Sequence, residues 1–475
     1  MRAYAHRGVF GALGACLAIV ACGTSAHTVH EGGDTISLVP PSDASLGADS
    51  FVGCATDTQK AKQLPLDLYV MLDTSGSMND LVGPQHSKWN AVSAAIAAFA
   101  NDPGSSGIGV GVQYFPKTAA GFPASCQTHA ECGANGACLL SLCADGSGQI
   151  SPCISDKDCG PFLCVPIGEC QYDPNAICSP GVACASDANG FPLGNCQAVT
   201  TSTCLGSDDC VAADYATPAV GIAPLPGVSA AIVAFLGSHG PNGATPTPAA
   251  LQGAIDGAKA YAMSHAGHTV VVVLATDGAP NEAFDPANGN CTSPLSQLAI
   301  DGEVARIAST GLAGTPSIKT FGIGVFTPSD VISGSAALNQ IATAGGTGAP
   351  FIIDTSGAMN NIEQKFLAAL NMIRGSALPC QYQVPIPAMG TPDYGKLNVH
   401  YTGGGGADLT VPYVESSGGC DAKLGGWYYN VDPAEGGIPT TIDVCAATCS
   451  ILKSDQGGRV DIVLGCQTQA LVRPR

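Results

Sequence analysis

Charged residues are scarce in this chain of 475 residues, and basic residues are the scarcest. Charged side chains make up 12% of the sequence, and 37 acidic residues against 18 basic ones give a formal net charge of −19. A surface with this excess of carboxylates repels phosphate, which argues against nucleic acid as a partner. Beyond the N-terminus, no apolar run reaches the length of a membrane-spanning helix without a proline or a charge. We therefore expect any membrane attachment to come from the N-terminus alone.

Familiar catalytic signatures are missing as well. The sequence contains no G-x-S-x-G nucleophile motif, H-E-x-x-H zinc motif or phosphate-binding P-loop in a suitable context. We therefore predict that the protein is not an enzyme. A hydrolase that uses Ser75 or Ser77 is an alternative, but neither serine has an evident base, because His86 lies in the following turn and no third group is evident.

The first residues have the features of an export signal. Arg2 and Arg7 precede an apolar run, Val9–Ala21, that is too short to span a bilayer. The run ends in Ile-Val-Ala followed by Cys22, which resembles the lipobox of bacterial lipoproteins, whose cysteine carries the lipid. Cys16 also fits but leaves a much shorter run, and ordinary signal cleavage nearby is another alternative. We expect residues 1–21 to be removed and Cys22 to be lipidated.

Residues 23–60 are rich in small and polar residues, so we expect a flexible tether. The protein would then be exported and lipid-anchored at the bacterial cell envelope, on the outer membrane or cell surface. Of the 22 cysteines, removing Cys16 and lipidating Cys22 leaves twenty. This even number indicates disulfides formed in an oxidising compartment.

The chain is organised around the segment Leu66–Met78, an apolar run that ends in Asp-Thr-Ser-Gly-Ser. The run is typical of a strand buried on both faces of a parallel sheet. Asp73, Ser75 and Ser77 follow at alternate positions, so one carboxylate and two hydroxyls can converge on one point. Three hard oxygens suit a small divalent cation. The alternative is a Ser/Gly-rich turn that only caps the next helix.

Strands and helices alternate from Leu66 to Ile373, which predicts an α/β fold with a doubly wound, mostly parallel sheet. Two more loops of this unit carry oxygen ligands. Thr245 lies in Gly-Ala-Thr-Pro-Thr before a helix, and Asp277 follows the β-branched strand His268–Leu274. Ligands of open α/β sheets gather beyond the carboxyl ends of the strands, where these loops are expected to meet.

Together the three loops resemble the metal-ion-dependent adhesion site of the von Willebrand factor A (VWA) family. The matching positions are Asp73, Ser75, Ser77, Thr245 and Asp277. The resemblance implies a Rossmann-like VWA domain over residues 61–375, interrupted by an insertion. It also implies that the serines, and sometimes the threonine, bind the ion directly, while the two aspartates act largely through water.

A site of two carboxylates and three hydroxyls leaves one coordination position of the cation open. In the VWA family an Asp or Glu of a protein partner fills this position. Mg²⁺ suits such a water-rich site better than Ca²⁺, which takes six to eight ligands; Mn²⁺ and Ca²⁺ are the alternatives. The expected function is that of a membrane-anchored adhesion protein that captures an acidic partner. The alternative is a structural envelope protein whose metal only stabilises the fold.

Residues 126–210 contain thirteen cysteines and almost no apolar periodicity, so we expect disulfides to replace a core. Two sets of four look like copies, and the odd count requires an outside partner, Cys54 or Cys291. Zinc is the alternative to disulfides, but C-x-x-C is absent here. The acidic pairs Asp156/Asp158 and Asp208/Asp209 are candidates for a calcium site, with solvated loop charge as the preferred interpretation. The VWA resemblance places this insertion in an edge hairpin beside the metal site.

Residues 380–475 have little helical periodicity, and we predict a small, β-rich, sandwich-like domain. Strand-like runs lie at Lys396–Tyr401, Asp408–Val414, Gly426–Tyr429, Thr440–Val444 and Arg459–Leu464. Six cysteines are candidates for its disulfides: Cys291, Cys380, Cys420, Cys445, Cys449 and Cys466. Trp427-Tyr428-Tyr429 is interpreted as core, with a sugar or peptide platform as the alternative.

Overall fold

The computed structural model describes residues 57–471 except 62–63, 84–85, 134–136, 145–152, 187–191, 286–289, 293–295, 329–330, 356–358, 378–379, 387–391, 404–405, 407 and 455–458. The predicted export signal, Cys16, Cys22, Cys54 and most of the tether lie outside the described residues. Among the helices that the structure describes, none combines the length and apolar character needed to cross a bilayer.

A six-stranded sheet forms the centre of the α/β unit. Its strands are β1 (Leu66–Asp73), β2 (Gly109–Phe115), β3 (Val220–Pro224), β4 (Thr269–Thr276), β5 (Lys319–Phe326) and β6 (Phe351–Asp354). Their order is β3-β2-β1-β4-β5-β6. All neighbours are parallel except β3, which pairs antiparallel with β2. The predicted α/β class with a mostly parallel sheet is confirmed at this level.

Helices cover both faces of the sheet. They are α1 (Lys88–Asn101), α2 (Ser229–Ser238), α3 (Thr247–Ser264), α4 (Gln297–Leu312), α5 (Val331–Ala344) and α6 (Met359–Ala377). Alternate residues of β1 enter two apolar layers: Leu68 and Val70 pack with α1, α2 and α6, and Tyr69 and Met71 pack with α3, α4 and α5. Burial on both faces explains why β1 is apolar throughout instead of alternating.

The cysteine-rich segment lies between β2 and β3 in the chain. Its strands are short: Ser141–Cys143, Cys164–Pro166, Gly168–Cys170, Asp173–Cys178 and Cys196–Ala198. Twelve of its cysteines pair among themselves: Cys126–Cys138, Cys132–Cys204, Cys143–Cys159, Cys153–Cys164, Cys170–Cys184 and Cys178–Cys196. These sulfurs are not free thiolates, so they do not offer the zinc site that was the alternative.

The thirteenth cysteine of the insertion, Cys210, pairs with Cys291. Cys291 therefore does not belong to the disulfides of the C-terminal region, which corrects that prediction. It lies on a hairpin formed by Ala283–Asp285 and Asn290–Thr292. After the insertion, Ala212–Tyr215 forms a short 3-10 helix, and the edge strand β3 begins at Val220.

The C-terminal region contains two small sheets that share one apolar core. One has the order Asp57–Lys60, Arg459–Leu464, Leu397–Thr402 and Asp408–Val411, and the other Gln381–Gln383, Thr441–Val444 and Trp427–Tyr429. The strand Asp57–Lys60 corrects the predicted tether, which ends before it. A helix, α7 (Ala446–Ser454), was not predicted. Trp427 is fully buried in this core, which supports the core interpretation of the aromatic triplet.

Two disulfides join parts of this C-terminal region, Cys380–Cys449 and Cys420–Cys445. Cys466 is disulfide-bonded as well. The predicted use of these cysteines within a small β-rich unit agrees with the structure, apart from Cys291.

Candidate metal centre

The candidate site lies at the carboxyl edge of the central sheet, between the two middle strands. β1 ends at Asp73 and its neighbour β4 ends at Thr276, directly before Asp277. The chain leaves β1 toward β2 on one side and β4 toward β5 on the other, so this is the point where the strand order reverses. Crevices at such points are where open α/β sheets bind ligands.

Asp73 ties the ends of the two central strands together. Its Oδ1 accepts a hydrogen bond from the backbone N–H of Ser75 at 2.7 Å, and its Oδ2 accepts one from the Thr276 hydroxyl at 2.6 Å. All three residues are buried. Asp73 therefore fixes the shape of the first loop and its distance from the third.

Two hydroxyls of the first loop converge on the carboxylate of the third. The Ser77 hydroxyl donates to Asp277 Oδ1 at 2.9 Å, and the Ser75 hydroxyl lies 3.4 Å from the same oxygen. The two serine oxygens are 3.2 Å apart. Three hard oxygens from two distant loops thus meet within one small volume. The carboxylate among them belongs to Asp277, whereas the Asp73 carboxylate, which the spacing placed with the two serines, binds Thr276 and the backbone of Ser75 instead.

The second loop closes the site from another side. It is bonded to the first loop by Asn242 N–H to Thr74 O at 2.6 Å and by Gly76 N–H to Gly243 O at 3.0 Å. A β-carbon built on Gly278 would lie 3.9 Å from both Ser77 Oγ and Thr245 Oγ1. The second loop therefore packs against the first, and the Thr245 and Ser77 hydroxyls both lie near Gly278, which follows Asp277 in the third loop.

A buried lysine, which the sequence reasoning missed, completes this cluster. Lys88 is the first residue of α1, and its side chain is 0% exposed. Its ammonium lies 2.8 Å from Asp277 Oδ2 and 2.8 Å from Asp80 Oδ2. The side chain of Ser87 caps the helix by accepting from Asn90 N–H. A lysine in the first turn of a helix usually faces solvent, and nothing in its immediate sequence distinguishes Lys88 from that case.

The electrostatics of the site favour an added cation. Burial and the charge of Asp277 raise the pKa of Asp73 to about 7. Burial also raises the pKa of Asp277, although Lys88 opposes this. For Lys88 itself, burial disfavours the ammonium, but the two carboxylates outweigh burial and raise its pKa. A single ammonium does not balance the buried carboxylates, and the oxygens present are those that Mg²⁺ prefers, so the residues fit a small divalent cation.

A second carboxyl pair lies beside the second loop. Asp208, near the end of the insertion, accepts a hydrogen bond from Ala244 N–H at 2.6 Å, next to Thr245. The carboxyl groups of Asp208 and Glu282 are hydrogen-bonded to each other. Burial and the Asp208 charge raise the pKa of Glu282 to about 7. This pair connects the insertion to a loop of the candidate metal centre.

The other acidic residues considered for calcium serve local structure. Asp156 and Asp158 accept hydrogen bonds from the backbone N–H groups of Cys164 and Ile154, respectively. Asp209 accepts one from Val211 N–H. Capping and turn formation explain these carboxylates without an ion.

The insertion stands directly against the candidate site. Its strand Asp173–Cys178 lies against the turn Gly76–Asn79, which contains Ser77. At its other end, the disulfide Cys210–Cys291 fixes the insertion to the hairpin that follows the third loop. The expectation that the insertion neighbours the site agrees with this placement.

No protein-family model matches the sequence, and no curated protein matches it. Solved structures to which it is similar include a mutant of the PilB minor pilin from Streptococcus sanguinis, with 11% identity, a TM-score of 0.34, and coverage of 66% of this chain and 62% of that one. The pilus adhesin SpaC from Lactobacillus rhamnosus GG has 12% identity and a TM-score of 0.36, covering 86% of this chain and 39% of SpaC.

BatB from Bacteroides thetaiotaomicron, a conserved hypothetical protein, has 11% identity and a TM-score of 0.27. The matched region covers 64% of this chain and 99% of BatB. The chain spans less than two thirds of the pilin and of SpaC. Likeness of this degree identifies neither a family nor a function.

Proposed function

We propose that the chain is an exported binding protein of the VWA type that captures an acidic protein partner through Mg²⁺. The cation would be held by Asp73, Ser75, Ser77, Thr245 and Asp277. The observation that carries the proposal is the meeting of the Ser75 and Ser77 hydroxyls on Asp277 Oδ1, with Asp73 buried behind them at the switch in strand order.

Each residue has a separate task in this proposal. The hydroxyls supply neutral oxygens, and the two carboxylates supply the negative charge that a divalent cation requires. Asp73 already uses both oxygens within the protein, so its main task is to orient the first loop. When bound, the cation supplies positive charge and an open coordination position. A partner carboxylate is the ligand whose charge and hardness suit that position.

The insertion is proposed as the element that selects the partner. Its strand Asp173–Cys178 lies against the serine-bearing turn, so a partner that reaches the cation also meets the insertion. The disulfides support folding in an oxidising compartment. Together with the N-terminal lipobox, this agrees with a protein anchored at Cys22 on the bacterial envelope and held away from the membrane by its tether.

The metal part of the proposal is tested by thermal unfolding and calorimetry with Mg²⁺. A cation at twenty times its Kd stabilises the folded state by about 1.8 kcal/mol. We expect this effect in the wild type and not in Asp277→Asn. Asp256→Asn removes a carboxylate whose only described contact is with Gln252 on the same helix, and it should behave like the wild type. Equal stabilisation of all three proteins would refute the site.

The partner part is tested on an array of short peptides that carry Asp or Glu, with their amide counterparts as the matched controls. Binding should need both the carboxylate and Mg²⁺, and EDTA should abolish it. Equal binding of acids and amides would contradict capture through the metal.

A structural envelope protein is the second candidate, favoured by the bond between Asp73 and Thr276. This bond already braces the two strand ends, and a cation could simply strengthen the brace. In that case Mg²⁺ raises the melting temperature without creating any carboxylate-dependent binding.

A further inference from the structure

Lys88 lies inside the candidate metal centre, and the proposed function gives it no task. Its ammonium is completely buried between the carboxylates of Asp80 and Asp277. Its backbone N–H also donates to Asp80 O at 3.0 Å. Lys88 is therefore held in place through both its backbone and its ammonium group. A buried ammonium is rarely found without a paired charge.

The two oxygens of Asp277 face different partners. Oδ1 meets the hydroxyls of Ser75 and Ser77, and Oδ2 meets the ammonium of Lys88. A cation among the hydroxyls would draw on the same carboxylate that already pairs with Lys88. Two positive charges that share one carboxylate weaken each other's binding.

The charges of the cluster show what the lysine changes. Counting Asp73, Asp80 and Asp277 as carboxylates and Lys88 as an ammonium gives the cluster a formal net charge of −2. A divalent cation brings this cluster to neutrality. Without Lys88 the same loaded cluster would keep one net negative charge, which would repel an incoming carboxylate.

We propose that Lys88 is a built-in counter-ion that lowers the affinity of the site for the divalent cation and raises the affinity of the loaded site for a carboxylate. This inference rests on the proposed function. It makes Lys88 a positioning and charge-setting residue that acts through Asp277. The two effects have opposite signs, and a lysine that only stabilised the fold would produce neither.

The test measures the Kd of Mn²⁺ alone for the full-length protein by calorimetry. It then measures the affinity of the Mn²⁺-loaded protein for glutarate. Glutarate binding is detected as a fall in the relaxation rate of water protons, because the ligand displaces water bound to Mn²⁺. For Lys88→Met we expect Mn²⁺ to bind at least tenfold more tightly and glutarate at least threefold more weakly. Lys88→Arg keeps the charge and should stay within threefold of the wild type on both measurements.

A compensating double variant separates the effect of the lost charge from the effect of altered packing. Lys88→Met combined with Asp80→Asn restores two net negative charges, so its Mn²⁺ affinity should return to within threefold of the wild type. Arg306→Met removes a positive charge from an exposed ion pair on α4 and should change nothing. If Lys88→Met does not fold, Lys88→Gln, which also removes the charge but keeps a polar group between Asp80 and Asp277, is measured in its place with the same expected results.

The outcomes distinguish the inference from the proposed function. A wild-type protein that binds no Mn²⁺ at 10 mM metal, a concentration of about ten times a millimolar Kd, overturns both. Wild-type binding with an unchanged or weaker Mn²⁺ affinity in folded Lys88→Met overturns only the role of Lys88.

Discussion

Replacing Glu282 by Gln should remove much of the pH dependence of stability between pH 4.5 and pH 7. Glu282 shares a hydrogen bond with Asp208, and burial together with the Asp208 charge raises the pKa of Glu282 from 4.5 to about 7. Asp208 holds the backbone of Ala244, directly before Thr245. The pair therefore couples the protonation of a carboxyl group to the loop that carries one of the five candidate ligands.

The direction of this pH dependence is set by the number of protons that the folded and unfolded states bind. The unfolded chain loses the Glu282 proton near pH 4.5, whereas the folded protein keeps it up to about pH 7. Between these values the folded state binds more protons, so the free energy of unfolding falls as the pH rises. A pKa change from 4.5 to about 7 corresponds to a ceiling of about 3.4 kcal/mol. Solvent screening of this partly exposed group reduces the expected effect to about 1.5 kcal/mol.

Urea denaturation at pH 5 and pH 8, at constant ionic strength, measures this effect. Wild type and Glu282→Gln should be similar at pH 5, since the wild-type carboxyl is then protonated in the folded state. At pH 8 the variant should be more stable by about 1.5 kcal/mol. Asp256→Asn on the surface of α3 serves as the control. Parallel pH profiles for wild type and Glu282→Gln would refute the reasoning.

Three further predictions concern the fold and the site. Gly257→Ala should destabilise the protein by about 1–3 kcal/mol in urea denaturation, because its β-carbon would lie 2.1 Å from a backbone oxygen; Gly302→Ala, with open space around it, should instead stabilise by about 0.5–1 kcal/mol. Cys210→Ser combined with Cys291→Ser opens a loop of sequence separation 81 and should cost about 4 kcal/mol, with faster proteolysis of the insertion; unchanged stability would show that the bond is dispensable. Asp73→Ala should abolish Mg²⁺-dependent stabilisation measured by calorimetry, and a retained Mg²⁺ effect would count against its place in the site.

The central sheet and the approach of the first loop to the third could be predicted because their signals are local. An apolar strand that ends in alternating Asp and Ser, and a β-branched strand that ends before Asp277, determine which loops share an edge of the sheet. Parallel pairing of β1 and β4 then brings Asp73 and Thr276 together. Binding of a metal at this place stays a prediction.

The features that the sequence missed or left open depend on how separate loops and strands meet in the fold. Asp57–Lys60 is polar and becomes a strand only by pairing with Arg459–Leu464. Cys54 and Cys291 were both open as the outside partner of the insertion, and the pairing of Cys210 with Cys291 depends on how the insertion folds back across the sheet. Lys88 is buried only because Asp80 and Asp277 approach it from two other loops. Sequence periodicity carries no information about such contacts.

Anomalous diffraction from crystals of the protein grown with Mn²⁺ tests the central claim most directly. The account predicts one strong peak within about 2.5 Å of the Ser75 and Ser77 hydroxyl oxygens. It also predicts Thr245 and Asp277 in the surrounding shell, Lys88 still paired with Asp277, and a water in the open position. A well-ordered site with no anomalous peak, or a peak only at other carboxylates, would contradict it.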